Sequence, residues 1–259
     1  MIPAMPLLRM IAVCLLATLP AVAQRGAPNV TFGHIHINSA DPDKTVAFWT
    51  DIIGLATWSR DSLNGVSTLG VLILITPSAP SGPSAGSAID HIGFKVPDLQ
   101  PFIAKLAKTS YKSFQPAADQ LMIDGPDGVR IELAEDSSMY APLQFDHIHF
   151  YATRPSDVQA WYAKLFGARP AGEDQPNTSL IAGAALTFAH ADSVSPTAGR
   201  AIDHIAFEIK NLESFCQKLA ADGIKFDTPY QVLPQLKFSS AFLTDPSGAR
   251  IELTEGLAH

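Results

Sequence analysis

From residue 30 onward the chain alternates between two hydrophobic patterns. Short runs such as His34-Ile35-His36-Ile37, His91-Ile92-Gly93-Phe94, His147-Ile148-His149-Phe150 and His204-Ile205-Ala206-Phe207 carry an apolar residue at every second position. That is the period of a strand with one buried face. Each run is followed by apolar residues spaced three or four apart, which predicts a helix. Asp41 and Pro42 open the first helix, and Val46, Trp49 and Ile53 line its inner face before Gly54. Leu99, Phe102, Ile103 and Leu106 form the second stripe. Ser156 is placed to cap the third helix, lined by Val158, Trp161 and Leu165 and ended by Gly167. Asn211 is placed to cap the fourth, lined by Leu212, Phe215 and Leu219 and ended by Gly223. The rest of each segment reads as about three short strands, the last announced by a turn at Asp127-Gly128 or Ser247-Gly248.

The patterns are copies of one another. Ile89-Asp90-His91-Ile92 recurs as Ile202-Asp203-His204-Ile205, and Arg130-Ile131-Glu132-Leu133 recurs as Arg250-Ile251-Glu252-Leu253. His34 precedes His91 by 57 positions, and His147 precedes His204 by 57. Four related units in two pairs therefore fill the chain. An α+β fold of four βαβββ modules follows, with a first domain over 31–136 and a second over 144–256. The Pro/Gly/Ser-rich stretches from Pro77 to Ser87 and from Ala191 to Gly199 read as flexible connections inside each half.

Composition narrows the function. Of 259 residues, 18 are Lys or Arg and 25 are Asp or Glu, a net charge of −7 with no basic cluster, which argues against nucleic acid as a partner. At the N-terminus, Arg9, the apolar run Met10 to Leu19 and the small-residue pattern Ala21-Val22-Ala23 read as a signal peptide over residues 1–23. The run is too short to span a bilayer. Cleavage near Ala23 implies a secreted or periplasmic protein without stable membrane insertion. It also removes Cys14 and leaves Cys216 as the sole cysteine, most simply a small buried residue.

Alternate residues of a strand share a face. His34 and His36 therefore stand opposite Ile35 and Ile37, as His147 and His149 stand opposite Ile148 and Phe150. Glu132 and Glu252 likewise point away from their isoleucine and leucine neighbours. Each half offers histidines and one glutamate on the face that helices leave open. Two neutral imidazoles and a carboxylate suit a borderline divalent ion. Singly, each of these is also an ordinary residue of a polar sheet face.

The Asp-His-Ile strand starts, the helix ends Phe48-Trp49-Thr50-Asp51-Ile52-Ile53-Gly54-Leu55 and Trp161-Tyr162-Ala163-Lys164-Leu165-Phe166-Gly167-Ala168, and the Pro-x-Gly turns before Ile-Glu-Leu together resemble the vicinal oxygen chelate superfamily of glyoxalases, bleomycin-resistance proteins and extradiol dioxygenases. The resemblance implies modules paired around at most one divalent metal per domain, Fe(II), Mn(II), Zn(II) or Ni(II). Carried over by position, the ligands are His34, His91 and Glu132 in one half and His147, His204 and Glu252 in the other. The strands Leu69–Thr76 and Ala184–Ala189 lack the fourth ligand of glyoxalase-like members, which favours dioxygenase-like chemistry on a small oxygen-rich molecule. His190 is then the candidate acid/base residue, with Thr76 at the comparable place in the first half, and the second half is the preferred active one. Phe242 departs from the dioxygenase pattern, where a tyrosine is expected. His36 and His149 are candidates for substrate contact. The alternatives are a glyoxalase-like lyase or isomerase, a protein that sequesters an antibiotic-like ligand without chemistry, and a domain whose sites have decayed into structure. The resemblance is compatible with a monomer or a homodimer.

Overall fold

A computed structural model describes residues 29–257, so the leader and its cleavage site lie outside the described residues. Unit one runs through β1 (Val30–Ser39), α1 (Pro42–Ala47), a π-helical turn (Phe48–Ile53), β2 (Ala56–Arg60), β3 (Leu63–Thr68) and β4 (Val71–Pro77). Unit two is β5 (Ile89–Val96), α2 (Gln100–Leu106), β6 (Lys112–Phe114), β7 (Gln120–Asp124) and β8 (Arg130–Glu135). Unit three is β9 (Gln144–Ala152), α3 (Pro155–Phe166), β10 (Arg169–Pro170), β11 (Thr178–Ile181) and β12 (Ala184–His190). Unit four is β13 (Ile202–Ile209), α4 (Leu212–Ala221), β14 (Thr228–Leu233), β15 (Phe238–Thr244) and β16 (Arg250–Glu255). The βαβββ module read from the sequence is present four times. No helix among the described residues is long and apolar enough to cross a membrane.

The pairing of units is not the one the sequence order suggests. One eight-stranded sheet runs β14-β15-β16-β13-β1-β4-β3-β2 and joins units one and four. The other runs β10-β11-β12-β9-β5-β8-β7-β6 and joins units two and three. The segments 31–136 and 144–256 are therefore repeats of sequence that each contribute one unit to each sheet. Equal spacing of the repeats is satisfied by either pairing, so the pattern alone carries no information on which units join. The short connection from Glu135 to Gln144 is compatible with unit three lying beside unit two, but those from Pro77 to Ile89 and from His190 to Ile202 are also short and do not choose between the pairings.

The two units of each half still share a core. Trp49 of unit one packs at 6.2 Å from Phe94 of unit two, and Tyr162 of unit three meets Phe207 of unit four at 6.3 Å. Ile35, Ile37, Ile92, Ile148, Ile205 and Ile251 are fully buried on this helix side, so the opposite face of each sheet is left for the histidines and glutamates. Tyr162 also donates its hydroxyl to Asp245 at 3.1 Å, a buried bond between units three and four.

Several local expectations need correction. The Pro/Gly/Ser stretches are packed connections: Ser87 pairs with Ser195 in a parallel bridge, the Ser81 amide donates to Gly199, and Ser84, Ser87 and Thr197 are fully buried. Small side chains let the two backbones approach, a role that composition does not distinguish from flexibility. Asp41 caps α1 as expected, accepting from the Lys44 amide at 3.1 Å. Helix α3 instead begins at Pro155, with Ser156 inside it. Its inner stripe is Val158, Tyr162, Leu165 and Phe166, with Trp161 half-buried. Asn211 lies at the start of α4 without a side-chain capping bond; the Glu255 carboxylate accepts from the Asn211 and Leu212 amides instead. Phe102, Ile103 and Phe215 are only partly buried. Cys216 is buried and unpaired, and burial pushes its thiol up to about 11.

Candidate metal centres

Each sheet brings one cluster together at its middle, where two units meet edge to edge. In the sheet of units one and four, β1 supplies His34 and His36, β13 supplies His204 and β16 supplies Glu252. Oε2 of Glu252 lies 3.1 Å from Nε2 of His34 and 3.3 Å from Nε2 of His204. In the sheet of units two and three, β5 supplies His91, β8 supplies Glu132 and β9 supplies His147 and His149. Here Oε2 of Glu132 lies 3.0 Å from Nε2 of His91 and 3.7 Å from Nε2 of His147. The six expected ligands thus converge, in a different grouping: His34 with His204 and Glu252, and His91 with His147 and Glu132. The grouping by halves is corrected by the strand order, because a ligand set forms from strands that are neighbours in one sheet. The preference for the second half lapses with it.

The strand register explains how the histidines are held. At each first-strand histidine the pairing of β1 with β13, or of β5 with β9, skips one residue: Gly33, Asp203, Asp90 and Asp146. Such bulges re-aim side chains, and here three of them bring a carboxylate to the ring that follows. Asp90 meets Nδ1 of His91 at 2.8 Å, Asp146 meets Nδ1 of His147 at 2.9 Å, and Asp203 meets Nδ1 of His204 at 2.5 Å. A carboxylate at Nδ1 fixes the tautomer and turns the Nε2 lone pair toward the cluster, the usual support of a metal-bound imidazole. His34 follows Gly33 and has no such neighbour. The Asp-His dipeptides were visible in the sequence; their orienting role was not, since a regular strand would send adjacent residues to opposite faces.

Burial and mutual contact set the protonation. Burial, then His204 and His34, lower the pKa of His36 to about 3. Burial, then His91 and His147, lower that of His149 to about 3. Burial works against charge on His91 and His204 as well, but the carboxylates beside them raise both above the ordinary imidazole value. Burial opposes ionisation of Glu132 and Glu252, yet the histidine contacts lower both overall, to well below the usual carboxylate range for Glu252. Each cluster is a carboxylate among imidazoles, one of which is held neutral.

The donors fit a divalent ion. One ring nitrogen from each of His34, His36 and His204, and from each of His91, His147 and His149, lies within 4.8 Å of the others. Donors bonded at roughly 2.0–2.2 Å to one ion stand no more than about 4.4 Å apart, so modest side-chain movement closes either set. Nε2 of His149 is buried without a hydrogen-bond partner, and Nε2 of His34, also buried, has the Glu252 carboxylate beside it at 3.1 Å. A buried polar atom left unpaired is costly, and a cation would satisfy it.

The candidate acid/base residue is not at either cluster. In the register of β12 with β9, Ala185 stands beside His147, Thr187 beside His149 and Ala189 beside Tyr151. His190 is on the same face as the buried Phe188, is exposed at the strand end, and pairs with Asp192 at 3.2 Å. Thr76, which hydrogen-bonds His36, corresponds to Ala189, and His190 corresponds to Pro77. The expected equivalence was one residue out, and a slip of one residue changes the face. Tyr151, unremarked in the sequence, stands on the cluster face with its ring 5.1 Å from that of His149. Burial and the nearby Asp90 raise its pKa.

The two clusters differ in their surroundings. Leu74, beside His36 in the register, is buried with Phe238 and Leu257, and Trp58, Leu63 and Leu72 pack against them. Arg60 donates to the carbonyls of Gly256 and Leu257, both at 2.9 Å, and so pins the last described residues to this border. Phe242 packs edge-on to His204 at 5.2 Å, with Arg250 over its ring at 4.2 Å. In the other sheet the same places hold Ala185, Thr187 and Met122.

The family model of the Glyoxalase/Bleomycin resistance protein/Dioxygenase superfamily matches residues 31–168 and again 144–253. The chain belongs to this superfamily. Glyoxalase I from Zea mays is similar in structure, with a TM-score of 0.67 at 14% identity over 87% of this chain and 92% of that one. A variant of the same enzyme gives 0.68 at 15% identity over 88% and 94%. The cppA protein from Streptococcus pneumoniae TIGR4 gives 0.51 at 14% identity over 87% and 99%. At these identities the likeness is one of fold. No curated protein matches the chain.

Proposed function

We propose that this superfamily member is a divalent-metal-dependent enzyme, exported from the cytoplasm, that acts on a small oxygen-rich molecule held through two neighbouring oxygens. The observation that carries the reading is the twin convergence of His34, His204 and Glu252 and of His91, His147 and Glu132, with a buried ring nitrogen of His149 that lacks a partner. His34, His204 and Glu252 would hold one ion and His91, His147 and Glu132 the other. A bound ion would supply Lewis-acid stabilisation of negative charge developing on the substrate oxygens.

The chain's own groups divide the remaining work. Asp90 and Asp146 keep their histidines oriented, and Glu132 stays anionic. The polar border of the sheet of units two and three, with Thr187 and Tyr151, makes it the site of turnover. Tyr151 is the group placed to hold or move a proton at its hydroxyl. The apolar border in the other sheet favours a second role there, holding a ligand without turnover.

Metal analysis of protein purified without chelator tests the reading, followed by oxygen uptake with catechols and isomerisation of hemithioacetals. Bound divalent metal together with either activity supports it. Less than about 0.2 metal per chain, not recovered with Fe(II), Mn(II), Zn(II) or Ni(II), contradicts it. A mature N-terminus near Gln24 in exported protein is the expected sign of leader removal.

A further inference from the structure

We propose that His36 and His149 are themselves metal ligands, so that each centre is built from three imidazoles and one carboxylate. The proposal rests on the metal-dependent reading above and assigns these two residues to the ion in place of the substrate. Both stand two positions after a ligand histidine on the same strand face, His36 after His34 and His149 after His147. In the register they face the ligand histidine of the partner unit, His36 opposite His204 and His149 opposite His91. The rings follow suit: His149 stacks on His91 at 4.3 Å and His36 lies against His204 at 4.6 Å.

Two further observations point to a cation. Nε2 of His149 is buried with no hydrogen-bond partner, although it lies in a cluster of potential partners. A ring nitrogen placed to contact a substrate would be exposed, and this one is not. The neighbouring strands supply no carboxylate, imidazole or thiol to complete the set: Leu74 and Thr187 stand beside these histidines, and the Thr76 hydroxyl bonded to Nε2 of His36 is a weak ligand that an ion would displace or that leaves Nδ1 to the ion. The fourth donor therefore comes from the strand that already carries the first.

Four protein donors change what the centre can do. A six-coordinate ion keeps two positions, enough for a vicinal pair of substrate oxygens and one too few for dioxygen as well. Three imidazoles also favour Co(II), Ni(II), Zn(II) or Fe(II) over harder ions. The chemistry that follows is proton transfer on a chelated substrate rather than oxidative ring opening, which reverses the preference drawn from a three-donor set.

X-ray absorption of the full exported chain loaded with Zn(II) counts imidazoles directly. Three per zinc are expected in the unsubstituted protein. In the His36→Gln, His149→Gln double variant, two are expected, with zinc affinity weakened at least about tenfold, the lower end of what even supporting residues cost. Two imidazoles per zinc in the unsubstituted protein, or unchanged affinity in the variant, would overturn the assignment while leaving the metal-dependent reading standing. Failure of the unsubstituted protein to bind zinc or any other divalent ion would overturn both. The count on the unsubstituted protein does not depend on the variant folding.

Discussion

Nε2 of His34 and Oε2 of Glu252 lie 3.1 Å apart although they come from opposite ends of the chain. Both are almost fully buried, with side chains 1% and 7% exposed. The contact exists because β1 and β16 flank β13 in one sheet, so the first and last units are partners. A metal centre built this way would tie ion binding to closure of the whole chain, since neither half alone holds a complete set of donors.

Gly93 makes room for one of those donors. A Cβ built there would lie 2.3 Å from Cε1 of His147, too close for any side chain. Gly93→Ala is expected to push His147 off the cluster, remove one metal per chain and destabilise the fold by about 1–3 kcal/mol. The substitution does not touch the other sheet, where His34 is already accommodated opposite Ala206, so that centre should keep its metal. Metal analysis of the variant checks both halves of the expectation.

The clusters also make the metal-free protein sensitive to acid. His149 has a folded pKa of about 3 against 6.5 unfolded. A group whose folded pKa is lowered contributes stability that is present above its unfolded value and lost as pH falls toward the folded one. At pH 5 the loss is about 2 kcal/mol for this imidazole. His91 and His204, whose pKa values are raised, act in the opposite sense, so the comparison needs a variant. Between pH 7.5 and pH 5, chelator-treated wild-type protein should lose about 2 kcal/mol more than chelator-treated His149→Leu, as read by denaturant titration at each pH. Equal losses would contradict the assignment of a neutral His149.

Proton transfer distinguishes Tyr151 from His190. Tyr151→Phe should lower kcat by about 100-fold or more, as loss of a general acid or base does, with metal content unchanged. His190→Ala should change neither, because His190 lies on the other face and pairs with exposed Asp192. Assays with the substrate found by the activity screen provide the comparison.

Much of this was legible in the sequence, and the misses have specific causes. Alternation around Ile35, Ile131 and Ile251 placed every histidine and glutamate of the two centres on the correct face. Repetition identified the module and its four copies. Pairing was not readable, because the 57-residue spacing is the same whichever units join. His190 was placed by counting from a strand whose register differs by one residue from the count. Tyr162 and Trp161 exchanged roles for a related reason: helix α3 starts before Ser156, and tertiary packing against Phe150, Phe188 and Phe207 selects the tyrosine. Asp90, Asp146 and Asp203 became visible as orienting groups only once the bulges were seen.

Metal stoichiometry in paired variants tests the cross-chain assembly of the centres most directly. Unsubstituted protein is expected to bind two divalent ions per chain, and His34→Ala or Glu132→Ala alone should leave one. Combining His34→Ala with Glu252→Ala should still leave one, because both changes fall in the same centre. Combining His34→Ala with Glu132→Ala should leave none. The reverse result, one ion retained with His34→Ala and Glu132→Ala and none with His34→Ala and Glu252→Ala, would show centres assembled within each half and contradict the account.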